Sequence, residues 1–164
     1  MCKNYTKTYG LNYKCLMPSN MYGPNDNYDL NNSHFFPALI RKIYEAKMNN
    51  KKKVKVWGSG KVLRELLYVE DFADAVLFFI NKKIKEDFLN IGSGKDYSID
   101  WYTKFIMREM NIKLKIIYDK SKPDGVPRKL LDVSLAKKYG WVSKTSLEEG
   151  FLNTLEDFKS GYRT

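Results

Sequence analysis

A chain of 164 residues that is 43% apolar and 15% aromatic is long enough for one domain with a core of its own, and this composition excludes a disordered or fibrous protein. Two cysteines make no disulfide framework, and there is no secretory signal and no apolar run of roughly 18 residues, so the sequence reads as soluble and cytoplasmic, in a reducing compartment and away from the membrane. The net charge of +10 alone admits nucleic acid, an anionic surface or a phosphorylated ligand. Its lysines gather beside turns, at Lys51 to Lys53, at Lys82, Lys83 and Lys85, and at Lys137 and Lys138, with no zinc-finger spacing or RNA-binding aromatic signature, which argues for solvated faces and against a nucleic-acid partner.

Residues 1–9 read as the end of a helix, with Tyr5 and Tyr9 four apart and Gly10 suited to the left-handed position after it. Asn12 to Pro18 reads as a short strand, and residues 19–32 as a long polar loop of the kind that is functional more often than idle. The next helix carries the only histidine of the chain at its mouth. Pro37 lacks an N–H and belongs in a first turn, so with Asn32 or Ser33 as cap the helix begins close to His34. Phe36, Leu39, Ile43 and Ala46 then form a buried stripe, with His34 and Arg41 on another face.

Lys53 to Trp57 alternates valine with lysine as a half-buried strand does, and Gly58-Ser59-Gly60 is its turn. The run from Arg64 to Asp71 leads into a helix whose expected stripe is Val69, Phe72, Ala73, Val76 and Ile80. Phe88 to Ile91 is a strand, Ser98 caps a helix through Tyr102, Phe105, Ile106 and Met110, and Leu114 to Tyr118 is another strand. Lys120 to Arg128, with two prolines and a glycine, is a stiff polar loop. Ser134 to Tyr139 is a short helix, and Ser146 to Glu149 is a capping box opening a last helix that faces Leu147, Phe151, Leu155 and Phe158 inward. There is no internal repeat and no linker, and the alternation of strands and helices argues an α/β fold.

Several of these stretches resemble one family. The runs Met17 to Pro24, Asn31 to Lys42, Val56 to Gly60, Arg64 to Asp71, Asn90 to Gly94 and Ser121 to Val133 are similar to the GDP-L-fucose synthases. These are extended short-chain dehydrogenase/reductases that convert GDP-4-keto-6-deoxymannose to GDP-L-fucose by two epimerisations and an NADPH-dependent reduction. Val-Trp-Gly and Asn-Ile-Gly occur in nucleotide-sugar epimerases and dehydratases generally, whereas the Asn-Ser-His and Lys-Pro-Asp-Gly-x-Pro-Arg-Lys segments are more particular. The resemblance implies that residues 1–164 are the C-terminal, substrate-binding half of that fold, lacking most of the Rossmann sheet. The family's NADP-binding glycine loop, catalytic Tyr-x-x-x-Lys pair, serine and acid/base cysteine then lie upstream of Met1, and neither Cys2 nor Cys15 replaces them. No metal is implied.

By this resemblance His34 is the acid that reprotonates carbon during epimerisation, a role imidazole fills near neutral pH, although on residues alone a solvent-facing helix-start histidine is the simpler reading. Pro18, Ser19, Asn20, Met21 and His34 would run past the NADP(H) nicotinamide, with Asn20 also reaching the sugar. Lys42, Trp57, Arg64, Asp124 and Lys129 would surround the GDP-sugar, Arg64 through a fixed guanidinium fork on the diphosphate. Lys42 stands where the family has an arginine, keeping the charge and losing the fork. Partners follow as a GDP-sugar, the absent N-terminal half on the same or another chain, and a second copy covering apolar faces for which Phe79, Leu16 and Tyr5 are candidates. Alternatives are a fragment of another nucleotide-sugar epimerase or dehydratase, and a non-catalytic nucleotide-sugar-binding module.

Overall fold

The structure is a computed structural model that describes residues 1–11 and 13–161. It is mixed α/β, as expected. Helix α1 (Cys2–Tyr9) ends on Gly10, whose φ of 66° lets its N–H reach back to the Thr6 carbonyl. Strand β1 (Cys15–Pro18) starts later than the sequence suggests, with Tyr13 and Lys14 outside it and Asn12 outside the described residues.

The segment 19–32 is not loop throughout. The Ser19 N–H donates to the Ile91 carbonyl at 3.0 Å, and the chain then steps over to pair a second strand, β2 (Asn20–Tyr22), parallel to residues 66–68. Its Asn20 side-chain amide donates to the Glu65 carbonyl at 3.0 Å, which fixes the step.

After β2 the loop runs to α2 (Phe35–Met48). The cap is His34 itself, in extended backbone (φ −66°, ψ 164°), and not Asn32 or Ser33. Asp29 explains the difference: its carboxylate takes the N–H groups of Asn31 and Asn32, and its carbonyl takes that of Ser33, so those residues close a turn before the helix begins. Pro37 falls in the first turn, where a missing N–H costs nothing, and the stripe Phe36, Leu39, Ile43 and Ala46 is buried as expected. Arg41 turns instead to Glu45 and the Tyr28 carbonyl.

Strand β3 (Lys53–Trp57) buries its two valines and pairs in parallel with β7 (Lys115–Asp119). The run expected to lead straight into a helix is first a strand, β4 (Leu63–Tyr68), against which β2, β6 (Asp96–Ser98, antiparallel) and β8 (Arg128–Lys129, parallel) all pair. Strand β5 (Phe88–Ile91) pairs β1 in parallel, Leu16 opposite Leu89.

Helix α3 (Val69–Ile80) is rotated from its expected face: Asp71, Ala75 and Phe79 are buried, while Ala73, Val76 and Ile80 are exposed. Asp71 sets the rotation, because its carboxylate accepts the Lys144 and Thr145 N–H groups and the Thr145 hydroxyl, satisfying a buried charge. Phe79 is therefore core and Leu16 partly buried, and of the three expected exposed candidates only Tyr5 is open to solvent.

Helix α4 (Ile99–Glu109) is capped by Ser98 Oγ, which accepts the Trp101 N–H at 3.1 Å. A short α5 (Ser134–Lys138) follows, and Ser146 Oγ accepts the Glu149 N–H at 3.1 Å at the start of α6 (Leu147–Gly161). Phe151, Leu155 and Phe158 of α6 are buried and Leu147 is partly so.

Among the described residues two hydrophobic cores result. The larger gathers α2, α4, α6 and strands β2 to β4 around Phe36, Ile40, Tyr102 and Phe151; the smaller gathers Leu67, Phe79, Leu89, Ile91 and Trp141. Leu66 and Tyr68 of β4 face the larger core and Leu67 the smaller. Among the described residues no helix is long and apolar enough to cross a membrane, and no group of His, Cys, Asp and Glu could hold a metal ion.

Candidate functional site

Lys42, Trp57, Arg64 and Asp124 come from α2, β3, β4 and the loop after β7, and they line one cavity of about 200 Å³. Each is delivered by local structure already described. The buried stripe of α2 turns Lys42 toward β3, and Trp57 is the last residue of β3 and 44% exposed. Lys42 Nζ lies 4.8 Å from the centroid of the Trp57 ring. Burial lowers the Lys42 pKa from its ordinary value, with Asp119 acting in the opposite direction.

Arg64 and Asp124 hold the wall together. The Arg64 guanidinium donates to the carbonyls of Leu63 at 2.7 Å, Val126 at 2.8 Å and Asp124 at 3.3 Å, so two of these bonds organise the 120–128 loop, the third turns back to its own strand, and the remaining two of its five donors have no partner among the described residues. Asp124 Oδ1 accepts the Ser59 N–H at 2.6 Å, and this bond holds the carboxyl below the usual carboxylate range. A β-carbon on Gly58 would lie 2.2 Å from Asp124 Oδ1, and Gly58 has a φ of 75°, so the turn accepts Asp124 only with glycine there. The cavity is thus ringed by Lys42 and Arg64, and its one carboxylate is already engaged.

The other expected residues lie around this cavity or apart from it. His34 is exposed and does not line it, although its neighbours Ser33 and Phe35 do. Lys129 is exposed on β8, opposite Arg64 in the ladder, and is likewise outside the lining. Pro18 ends β1 and is exposed; Ser19 follows with a buried hydroxyl that has no partner among the described residues; Asn20 is tied to Glu65; and Met21 is exposed on β2. Missed by sequence reading were Ser59, which receives Asp124, and Lys122, whose Nζ lies 5.0 Å from the Trp57 ring centroid. A larger cavity of about 330 Å³, beside Tyr22, Asp71, Trp101 and Lys144, gathers none of the expected residues.

Comparison with known proteins agrees with the fold. The chain is 44% identical over 160 residues to a GDP-L-fucose synthase of Sinorhizobium fredii, covering 98% of this chain and 51% of that protein. It is 43% identical over 147 residues to a GDP-L-colitose synthase of Yersinia pseudotuberculosis, covering 89% and 48%. The crystal structure of a GDP-L-fucose synthetase from Naegleria fowleri bound to NADP superposes with a TM-score of 0.86 at 26% identity, covering 99% of this chain and 52% of that one. The chain spans about half the length of the curated relatives it matches. The fold is accordingly part of the epimerase form of the short-chain dehydrogenase/reductase fold. Residues 1–92, more than half of the chain, match the model of the NAD dependent epimerase/dehydratase family, and the chain belongs to that family.

Proposed function

We propose that this chain is the GDP-sugar-binding portion of a GDP-L-fucose synthase-like enzyme, which epimerises GDP-4-keto-6-deoxymannose at two carbons and reduces its ketone with NADPH. The observation that carries the reading is the convergence of Lys42, Trp57, Arg64 and Asp124 on one cavity. Two cations beside a carboxylate already engaged by the Ser59 N–H suit a diphosphate, and Trp57 adds an aromatic wall. Lys129, on the strand beside Arg64, adds charge at the rim. The colitose relative supports the wider statement that the product is a GDP-linked sugar.

His34 is the acid of the epimerisation, delivering a proton to the carbon next to the ketone, and its exposure at the mouth of α2 suits a group that meets its substrate from outside the core. Pro18 ends β1 opposite Ile91, at the carboxyl ends of two parallel strands where open α/β sheets meet ligands, and with Ser19, Asn20 and Met21, which carry the chain on into β2, it faces the NADP(H) brought by an N-terminal half. The turn glycines do not fit the pyrophosphate of such a cofactor. The space beside Gly58 holds the Asp124 carboxyl, that beside Gly92 holds Glu65, and that beside Gly60 holds the Tyr118 ring. No step of the reduction is therefore assigned to these residues, and this portion alone is inactive. The reading places the protein in the cytoplasm.

The test has two arms. Calorimetric titration of the chain with GDP, UDP and dTDP is expected to favour GDP, and preference for another base sinks the guanine reading. Mixing the chain with a separately expressed N-terminal half of a relative is expected to restore turnover of GDP-4-keto-6-deoxymannose. His34→Gln in that mixture should abolish epimerisation, read as loss of solvent hydrogen exchange at the carbons next to the ketone.

A further inference from the structure

Lys122 has no role in the reading above, yet its ammonium group and that of Lys42 lie over the same indole, 5.0 Å and 4.8 Å from the Trp57 centroid. Two cations at one aromatic ring repel each other, so one of them is held there only while nothing better is within reach. The backbone on either side of Lys122 is fixed. Its own N–H donates to the Asp119 carbonyl at 3.1 Å, Pro123 follows it and lines the cavity, and Asp124 is anchored to Ser59. What moves without breaking these anchors is the Lys122 side chain, four methylenes long and exposed. The cavity it borders is also lined by Arg64, two of whose donors have no partner among the described residues.

We propose that Lys122 is a diphosphate contact parked on Trp57: a nucleoside diphosphate entering beside Arg64 draws the ammonium group off the indole and onto a phosphate oxygen. A contact with an exposed aromatic face is weaker than a charge-assisted contact with phosphate, so the exchange runs toward the ligand. Lys42, half-buried, stays in place, and Lys122 supplies the charge that completes the clamp. The inference rests on the nucleotide-sugar reading of this cavity but needs only its diphosphate, not its base.

Titration of the whole chain with GDP, UDP and guanosine, monitored by heat and by tryptophan fluorescence, tests it. Lys122→Gln is expected to weaken both diphosphates about tenfold, to leave guanosine unchanged, and to flatten the salt dependence of diphosphate binding. At saturating GDP the fluorescence change of the wild type should be largely lost in Lys122→Gln and in Trp57→Phe, and retained in Lys122→Arg. Wild-type affinity for GDP in Lys122→Gln, or an equal loss for guanosine, overturns the role of Lys122. If UDP binds as well as GDP and Lys122→Gln weakens both, the guanine reading fails and this proposal stands. Binding of no nucleoside diphosphate by the wild type overturns both.

Discussion

A β-carbon on Gly92 would lie 2.3 Å from Glu65 Oε1, so the fully buried carboxyl group of Glu65 has its place only because residue 92 has no side chain. That carboxyl accepts the Gly94 N–H at 2.7 Å and the Leu131 N–H at 2.9 Å, joining β4 to the turn after β5 and to the segment after β8. Gly92 has no left-handed backbone to strain, so Gly92→Ala reports the clash alone and is expected to cost about 1–3 kcal/mol. Glu65→Ala orphans two partly buried donors and leaves a cavity where its own buried side chain stood, and it should cost roughly 2–4 kcal/mol. Because the second change removes the atom with which the first collides, the double variant should lose less than the sum, as guanidinium unfolding will measure.

Lys42 sets an alkaline limit on ligand binding. Burial places its folded pKa below the ordinary lysine value of 10.5. Its ammonium form is complete below that folded pKa and is lost as pH rises through it, so GDP affinity should fall earlier in the alkaline range than for an exposed lysine. Lys42→Arg remains charged and regains a fork, and it is expected to bind GDP roughly 3–10-fold more tightly near neutrality, by an advantage that widens as pH rises. The ratio of the two affinities at each pH cancels ionisation of the ligand itself. A constant ratio would reject the argument.

Helix α3 exposes Leu77 to 70% and Ile80 to 73%, with Val76 and Ala73 on the same side. This apolar stripe is the surface that self-association should use in the isolated chain. Leu77→Lys with Ile80→Lys is expected to weaken self-association at least about tenfold in sedimentation velocity, while changing unfolding free energy by no more than roughly 0.5 kcal/mol for each surface substitution.

Gly150 lies inside α6, where alanine would ordinarily stabilise by about 1 kcal/mol. Here a β-carbon would meet Tyr22 Oη at 2.3 Å and the Tyr68 ring at 3.0 Å. Gly150→Ala is expected to lower the melting temperature instead, and Tyr22→Phe in the same chain to recover part of the loss.

What the sequence made legible follows from where each residue meets water. The alternation of β3 is plain because one face is wet, and α2 is plain because its stripe is narrow. Strand β4 escaped because Glu65, Leu66, Leu67 and Tyr68 are buried in succession, and a strand covered on both faces has no alternation to read. The orientation of α3 was misread because the buried acid Asp71 finds its donors at Lys144 and Thr145, more than seventy residues away. Lys42, Trp57, Arg64 and Asp124 were nameable as a set only through resemblance to a family, since no periodicity links four separate elements. Nothing local distinguishes Lys122 from the other exposed lysines. Its position over Trp57 exists only once β3 and the 120–128 loop are side by side.

Leu66 and Leu67 are neighbours in the chain and belong to different cores. One strand is therefore the party wall of both, and neither core can melt without withdrawing a face from the other. The chain should unfold on heating as one cooperative unit, with equal calorimetric and van 't Hoff enthalpies, rather than as two lobes with separate transitions.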